Sequence, residues 1–330
     1  MAENSEQDKP GRTLSLVNTL RGHKKIVSQI AWSLDGRSLA SSSLDGTIRI
    51  WDPDSGVMIK MLEGFANYAF CLVWSPDGQS LASGAFEHTV HLWDAGRGRE
   101  IKVLKGHSDY VHCLAWSSDL KFLASGSPDQ TIRIWRAKTG ELLQTLTGHT
   151  GFVRGLTFSS DNRILASCSR DRTIRLWDTT AWETARVLEG HEGGVNSLAW
   201  TRDGEELASA GDDAVIRVWD IKTGKLLDTL TGHAGPITSL SYTKTLNLLA
   251  SKSRDNLIHI WDMANRECVA AIEEPHSGYW LSNIAFHPKK PILATLGKED
   301  AVIRLWDLDP VGDEDDFDPS EAFLDEIFGA

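Results

Sequence analysis

The sequence predicts an all-β ring of seven four-stranded antiparallel sheets, closed by a strand from near the N-terminus. Three observations carry that prediction. Trp51, Trp93, Trp135, Trp177, Trp219 and Trp261 stand 42 residues apart, and Trp306 follows after a step of 45. Each of these tryptophans closes a copy of one motif: LASSSLDGTIRIWD (39–52), LASGAFEHTVHLWD (81–94), LASGSPDQTIRIWR (123–136), LASCSRDRTIRLWD (165–178), LASAGDDAVIRVWD (207–220), LASKSRDNLIHIWD (249–262) and LATLGKEDAVIRLWD (293–307). A glycine–histidine pair opens most copies and places His23, His107, His149, His191 and His233 on the same grid. A fixed period of roughly 40–45 residues marks a radial repeat, one supersecondary unit per period.

Along the chain, residues 1–12 (MAENSEQDKPGR) are polar, lack the apolar core of a signal peptide and are expected to be disordered. The ring is expected over residues 13–309. Each unit reads as four short strands. In the fourth unit FVRGLTF (152–158) alternates with period two, and ILASCS (164–169) follows the SSDNR turn. TIRLWD (173–178) follows the next turn, and ETARVLEG (183–190) comes last. Short alternating runs with turn residues about every 8–12 positions argue for sheets rather than helices. The last-strand pattern recurs as VMIKMLEG, EIKVLKG, ELLQTLTG, KLLDTLTG and ECVAAIEE. It is absent after Trp306, where the chain turns to LDPVGDEDD, yet TLSLVNTLRG (13–22) carries it before the first glycine–histidine pair. The N-terminal strand is therefore expected to complete the last sheet and remove an open edge.

Composition excludes several functions. A chain of 330 residues with 41% hydrophobic content can bury a large core, and no apolar run approaches the roughly 18 residues of a membrane span. Cys71, Cys113, Cys168 and Cys268 share no CxxC spacing, which signals neither a zinc site nor a disulfide framework and fits a reducing cytoplasm. His88 and His91, three apart at a strand entry, point to opposite faces and suit no metal. No glycine loop for phosphate and no carboxylate pair stands out, so no cofactor is expected. The formal net charge is −12, with nine acids and no Lys or Arg in residues 308–330. Nucleic acid needs a basic footprint, and none is evident.

His149, Ser167 and Asp171 together look like a hydrolytic triad. The same three residue types recur in most units, however, and an enzyme needs one nucleophile with one base. The repetition points to structure.

Taken together, the glycine–histidine pairs, LAS strands, turn aspartates and terminal Trp-Asp resemble the WD-repeat (Trp-Asp repeat) β-propeller family over about residues 13 to 309. Seven copies imply seven blades. The resemblance implies a hydrogen-bonded tetrad in each blade, formed by the histidine, the second-strand serine, the turn aspartate and the third-strand tryptophan. The full sets are His23/Ser41/Asp45/Trp51, His107/Ser125/Asp129/Trp135, His149/Ser167/Asp171/Trp177, His191/Ser209/Asp213/Trp219 and His233/Ser251/Asp255/Trp261. In series these groups satisfy one another, so that no buried polar group is orphaned. The second blade departs, with Phe65 for the histidine and Glu87 for the aspartate. The seventh carries Thr295, Asp300 and Trp306 with an insertion, and His276 is expected as its histidine.

The resemblance also implies that partners meet the face carrying the glycine–histidine loops. Contacts there come from positions three and five after the histidine and from the residue before the turn aspartate. Carried across, the first position gives Ile26, Tyr68, Tyr110, Phe152, Gly194 and Pro236, the second Ser28, Phe70, His112, Arg154, Asn196 and Thr238, and the third Leu44, Phe86, Pro128, Arg170, Asp212, Arg254 and Glu299, with Trp280 and Ser282 from the seventh blade. The aromatic residues among them, with Ile26, Leu44, His112, Arg154, Arg170 and Arg254, are the expected contacts. The expected function is a non-catalytic protein-interaction scaffold that binds a partner peptide or loop on this rim, with an acidic or phosphorylated group near the arginines. The alternatives are a structural subunit of a larger assembly that uses its blade edges, or a propeller-based enzyme. Neither nucleic acid nor membrane is expected as a partner.

The acidic tail, residues 310–330, leaves two readings open. One is a solvated, disordered end. The other takes Asp318 as an N-cap, Pro319 as the first helical residue and Glu321 in the capping box. Phe323, Leu324, Ile327 and Phe328 then share a face of a helix over 319–328, which would dock on the chain's own rim or on another protein.

Overall fold

The LAS motif becomes the most deeply buried strand of every sheet. Its small side chains let neighbouring blades approach on both faces: Leu39, Ala40, Leu81, Ala82, Leu165 and Ala166 are all fully buried. The computed structural model describes residues 14–64, 68–275, 283–297 and 301–308. Within them the chain forms seven four-stranded antiparallel sheets arranged as a seven-bladed β-propeller. In the first blade the order from the centre outward is Val27–Trp32, Leu39–Ser43, Ile48–Trp51 and Met58–Leu62. The innermost strands line a central channel of about 220 Å³ through residues such as Gln29, Cys113, Gly155, Ser197 and Asn283.

The grid tryptophans stitch each blade to the one before it. Trp93 packs with Ala40, Ile48, Ile50 and Leu62 of the first blade, and Trp51 packs with Leu20, Ala294, Ile303 and Leu305 of the seventh. Burying such a side chain contributes about 1.5–3 kcal/mol, so seven repeats of one contact supply much of the core.

Closure follows the expected route. Ser15–Leu20 pairs with Ile303–Asp307 as the outer strand of the seventh blade, outside Ile292–Leu296 and Ile284–Phe286. The match extends to an irregularity. In the other blades the register between third and outer strand slips just before the tryptophan, as at Ile50/Trp51 and Leu176/Trp177. In the seventh it slips between Leu16, opposite Trp306, and Asn18, opposite Leu305. A bulge sharpens the local twist, and the closing strand reproduces it at the same place.

The only helical element among the described residues is the short 3-10 turn Arg202–Gly204. No helix there is long and apolar enough to cross a membrane. Residues 1–12, Phe65, His276, Trp280, Ser282, Glu299, Asp300 and 310–330, with the helix expected over 319–328, lie outside the described residues.

Candidate functional site

The triad-like groups are hydrogen-bonded as a triad would be. His149 Nδ1 lies 2.8 Å from Asp171 Oδ2, and Nε2 lies 2.8 Å from Ser167 Oγ. The indole of Trp177 donates to the same Oγ at 2.8 Å. Because the carboxylate can only accept, the imidazole proton sits on Nδ1 and donates to Asp171, which leaves Nε2 to accept the Ser167 hydroxyl proton while the same oxygen accepts from Trp177. The same arrangement holds His23, His107, His191 and His233 with their partners. Access decides what it can do. Ser41, Ser125, Ser167, Ser209 and Ser251 are each 0% exposed, so no substrate carbonyl can reach them. The groups tie the loop entering a blade to the turn of that blade.

Electrostatics reinforce the tie. Burial alone would raise the Asp171 carboxyl, but bonds from His149, Thr173 and the Thr150 amide together outweigh it and hold the group well below the usual carboxylate range. Asp45, Asp129 and Asp213 behave alike. A depressed carboxyl contributes stability above its unfolded value near pH 4, and this is lost as pH falls through the folded value. Asp171→Ala is therefore expected to cost about 1–3 kcal/mol at pH 7. In thermal melts the gap to the parent should stay constant above about pH 5 and shrink towards pH 2. A gap that widens in acid would reverse the assignment.

Two blades use other chemistry. In the second, Trp93 still donates to Ser83 at 2.8 Å, while His91 meets Thr89, Glu100 and Glu87 and stacks on Trp93. In the seventh, Trp306 donates to Thr295 at 2.9 Å, and the Thr295 hydroxyl donates to Glu274 at 2.8 Å. Glu274 thus occupies the place on Thr295 that imidazole takes on serine elsewhere, two residues before the expected His276. Glu274 also takes the ammonium of Lys252 at 2.5 Å, and both side chains are buried. Sequence reasoning missed this pair, although lysine in LASKS, where the other copies have Ser, Gly, Cys, Ala or Leu, was a visible signal. It also missed Arg49, Arg133, Arg175 and Arg217, which stand two residues before the grid tryptophans. Arg49 and Arg175 lie over the indoles of Trp51 and Trp177, and Arg217 bonds Asp213 at 2.6 Å.

On the face with the turn aspartates, one pocket of about 460 Å³ opens at the channel mouth. Leu44 comes from the first blade, Tyr68, Phe70 and Phe86 from the second, and Tyr110, His112 and Pro128 from the third. Phe152, Arg154 and Arg170 complete it from the fourth. Equivalent positions in successive blades sit at equal height, which is why residues far apart in sequence share one wall. Phe70 stacks on Tyr110 with ring centroids 4.9 Å apart and on Phe86 at 5.9 Å, and Tyr68 meets Phe86 edge-on. Tyr68, Phe86 and Phe152 stay 38%, 44% and 36% exposed.

One end of the pocket is cationic. The Arg170 guanidinium lies 5.7 Å from the centre of the Phe152 ring. Arg154 donates to Asn196 at 2.6 Å, and Asn196 donates to Asp212 and the Ile237 carbonyl. Lys25 sits over Tyr68 at the other end, a contact with no sequence signal. Burial, helped by Arg154, lowers His112 to about 4, so its ring is neutral near pH 7. Ile26 and Arg254 do not line the pocket: Ile26 lends its carbonyl to the Leu44 amide, and Arg254 belongs to the sixth blade.

Comparison with known proteins accords with this architecture. A family model described as IFT122 first beta-propeller matches residues 68–209. One described as WD domain, G-beta repeat, matches 14–52 and 266–307. A third, the anaphase-promoting complex subunit 4 WD40 domain, matches 180–245. Among curated relatives, the chain is 39% identical over 54 residues to a subunit of chromatin assembly factor 1 of Mus musculus, covering 16% of this chain and 9% of that protein. It is 51% identical over 35 residues to the NAD(+) hydrolase ApTIR of an Actinoplanes species, covering 11% of this chain and 5% of that protein. The chain thus matches only a small part of each relative's length. With repeat models matching between residues 14 and 307, and seven four-stranded sheets built on that repeat, the chain belongs to the WD-repeat β-propeller family.

Proposed function

We propose that the protein is a non-catalytic interaction scaffold of the cytoplasm, and that the rim pocket over blades one to four takes an apolar side chain of a partner peptide or loop. The observation that carries this reading is the exposed aromatic cluster itself, since contiguous exposed apolar surface on a folded chain marks an interaction site. Offset-stacked rings offer a rigid apolar wall at little entropic cost. Arg154 and Arg170 at one end favour an acidic or phosphorylated group beside the apolar anchor and disfavour a cationic one. The name of one relative, a subunit of an assembly factor, accords with an interaction role.

Selection from a random peptide display library tests the reading. The parent is expected to enrich aromatic or aliphatic residues next to Asp or Glu. Phe70→Ala and Phe86→Ala should weaken the selected peptides by about 2 kcal/mol or more, roughly 30-fold, with near-parental melting. Because His112 gains charge only near pH 4, affinity should stay level between pH 6 and 8. Variants that melt early yet bind normally would make these rings core packing.

A further inference from the structure

A second apolar groove lies on the opposite face. It is formed by the turns that join the first two strands of blades seven, one and two, and it measures about 360 Å³. Trp32, Leu34, Trp74, Pro76 and Pro288 line it, with Trp116 from blade three at its edge. Leu34 is 61% exposed, although a leucine at a turn tip gains nothing from water. The sector is local. The residues equivalent to Leu34, Pro76 and Pro288 in blades three to six are Ser118, Ser160, Arg202 and Lys244. At this position of the turn an apolar residue therefore stands on three adjacent blades only.

Those blades flank the place where the described chain ends. In the seventh blade Leu296 pairs with Ile303 at one edge of the sheet and Ile292 with Asp307 at the other. The third strand therefore finishes on the face away from the turn aspartates. There the Leu308 amide donates to the Pro291 carbonyl, three residues beyond Pro288. The third strand lies two strand spacings from the inner strand, about 10 Å. From Leu308 to Phe323 is 15 residues, and a coil of that length spans roughly 20 Å. The rim pocket is much less accessible, since the chain would have to pass the full sheet edge, about 17–20 Å, and then cross to blades two to four.

We infer that this groove is the docking site of the chain's own segment 311–330, with Phe323, Leu324, Ile327 and Phe328 seated against Leu34, Trp74 and Pro76. This is an alternative to docking on the rim or on another protein, and it leaves the rim pocket free for a partner.

Amide exchange on the full chain, on a chain lacking residues 311–330 and on the double variant Phe323→Asp/Phe328→Asp tests the assignment. Exchange in segments 33–38, 75–79 and 286–291 should be about tenfold slower in the parent than in either variant. All three should be monomeric, with the two variants melting together and only slightly below the parent. Three identical exchange patterns would overturn the inference. So would protection that moves to 68–70 and 108–112 on the rim, or protection that grows with protein concentration, which would put the segment on a second copy.

Discussion

A chain lacking residues 1–20 is expected to aggregate, or to melt far below the parent. The deletion removes Ser15–Leu20, the outer strand of the seventh blade, and strips the partner from Ile303–Asp307. It also empties a core position. Leu20 is 1% exposed and packs with Val27, Ile30, Leu39 and Trp51 of the first blade and with Ala294, Leu296, Ile303 and Leu305 of the seventh. Loss of that side chain alone costs about 2–5 kcal/mol, against a total stability of about 5–15 kcal/mol for an ordinary domain. The bared strand is moreover a template for pairing with another chain. Deleting only residues 1–11 leaves the ladder whole and should change nothing. Size-exclusion chromatography and thermal melts of the two deletions decide the matter. A monomeric chain of parental stability without residues 1–20 would show that closure does not depend on this strand.

The two deletions also show why so much of the fold was legible. The strand at 15–20 could be found because its pattern belongs to a set of six others, and its absence after Trp306 left a vacancy in that set. Repetition made local signals self-checking. The same logic found the walls of the rim pocket, because a residue's height in a blade depends on its repeat position. Angular position around the ring does not, which is why Arg254, in the sixth blade, occupies an equivalent turn position yet cannot reach a pocket over blades one to four. The seventh blade was harder. Its step is 45 residues rather than 42, and once the count fails, the repeat no longer says which residue meets Thr295. Geometry gave that place to Glu274, whose carboxylate has a second partner in Lys252, a side chain that no other blade carries at that position.

That buried pair supports the second large effect. Glu274→Gln is expected to destabilise the protein by about 3–5 kcal/mol, the usual result of removing one partner from a buried ion pair. The side chain of Lys252 is 0% exposed and that of Glu274 3% exposed. The ammonium would keep its bond to the Leu296 carbonyl, a neutral acceptor, in surroundings where an uncompensated charge is poorly tolerated. Glutamine keeps an oxygen for the Thr295 hydroxyl, so the loss reports on charge rather than on the hydrogen bond to threonine. The companion variant separates the two further. Lys252→Met/Glu274→Gln removes both buried charges and retains the volume, leaving only the partly exposed Arg304 guanidinium, 3.5 Å from Glu274, and it should recover much of the lost stability, because a buried pair is often no better than an apolar substitute of its size. Lys252 stands on the second strand of blade six and Glu274 just beyond its outer strand, while Thr295 and Leu296 belong to blade seven. Denaturant melts of the single and double variants therefore measure how strongly charge couples the two blades at the closure. A single variant as stable as the parent would mean that this interface is held by its apolar contacts alone, through Ile258, Ile260, Ile272, Ile284 and Phe286, whereas a double variant no better than the single would assign the loss to the missing polar contacts rather than to a stranded charge.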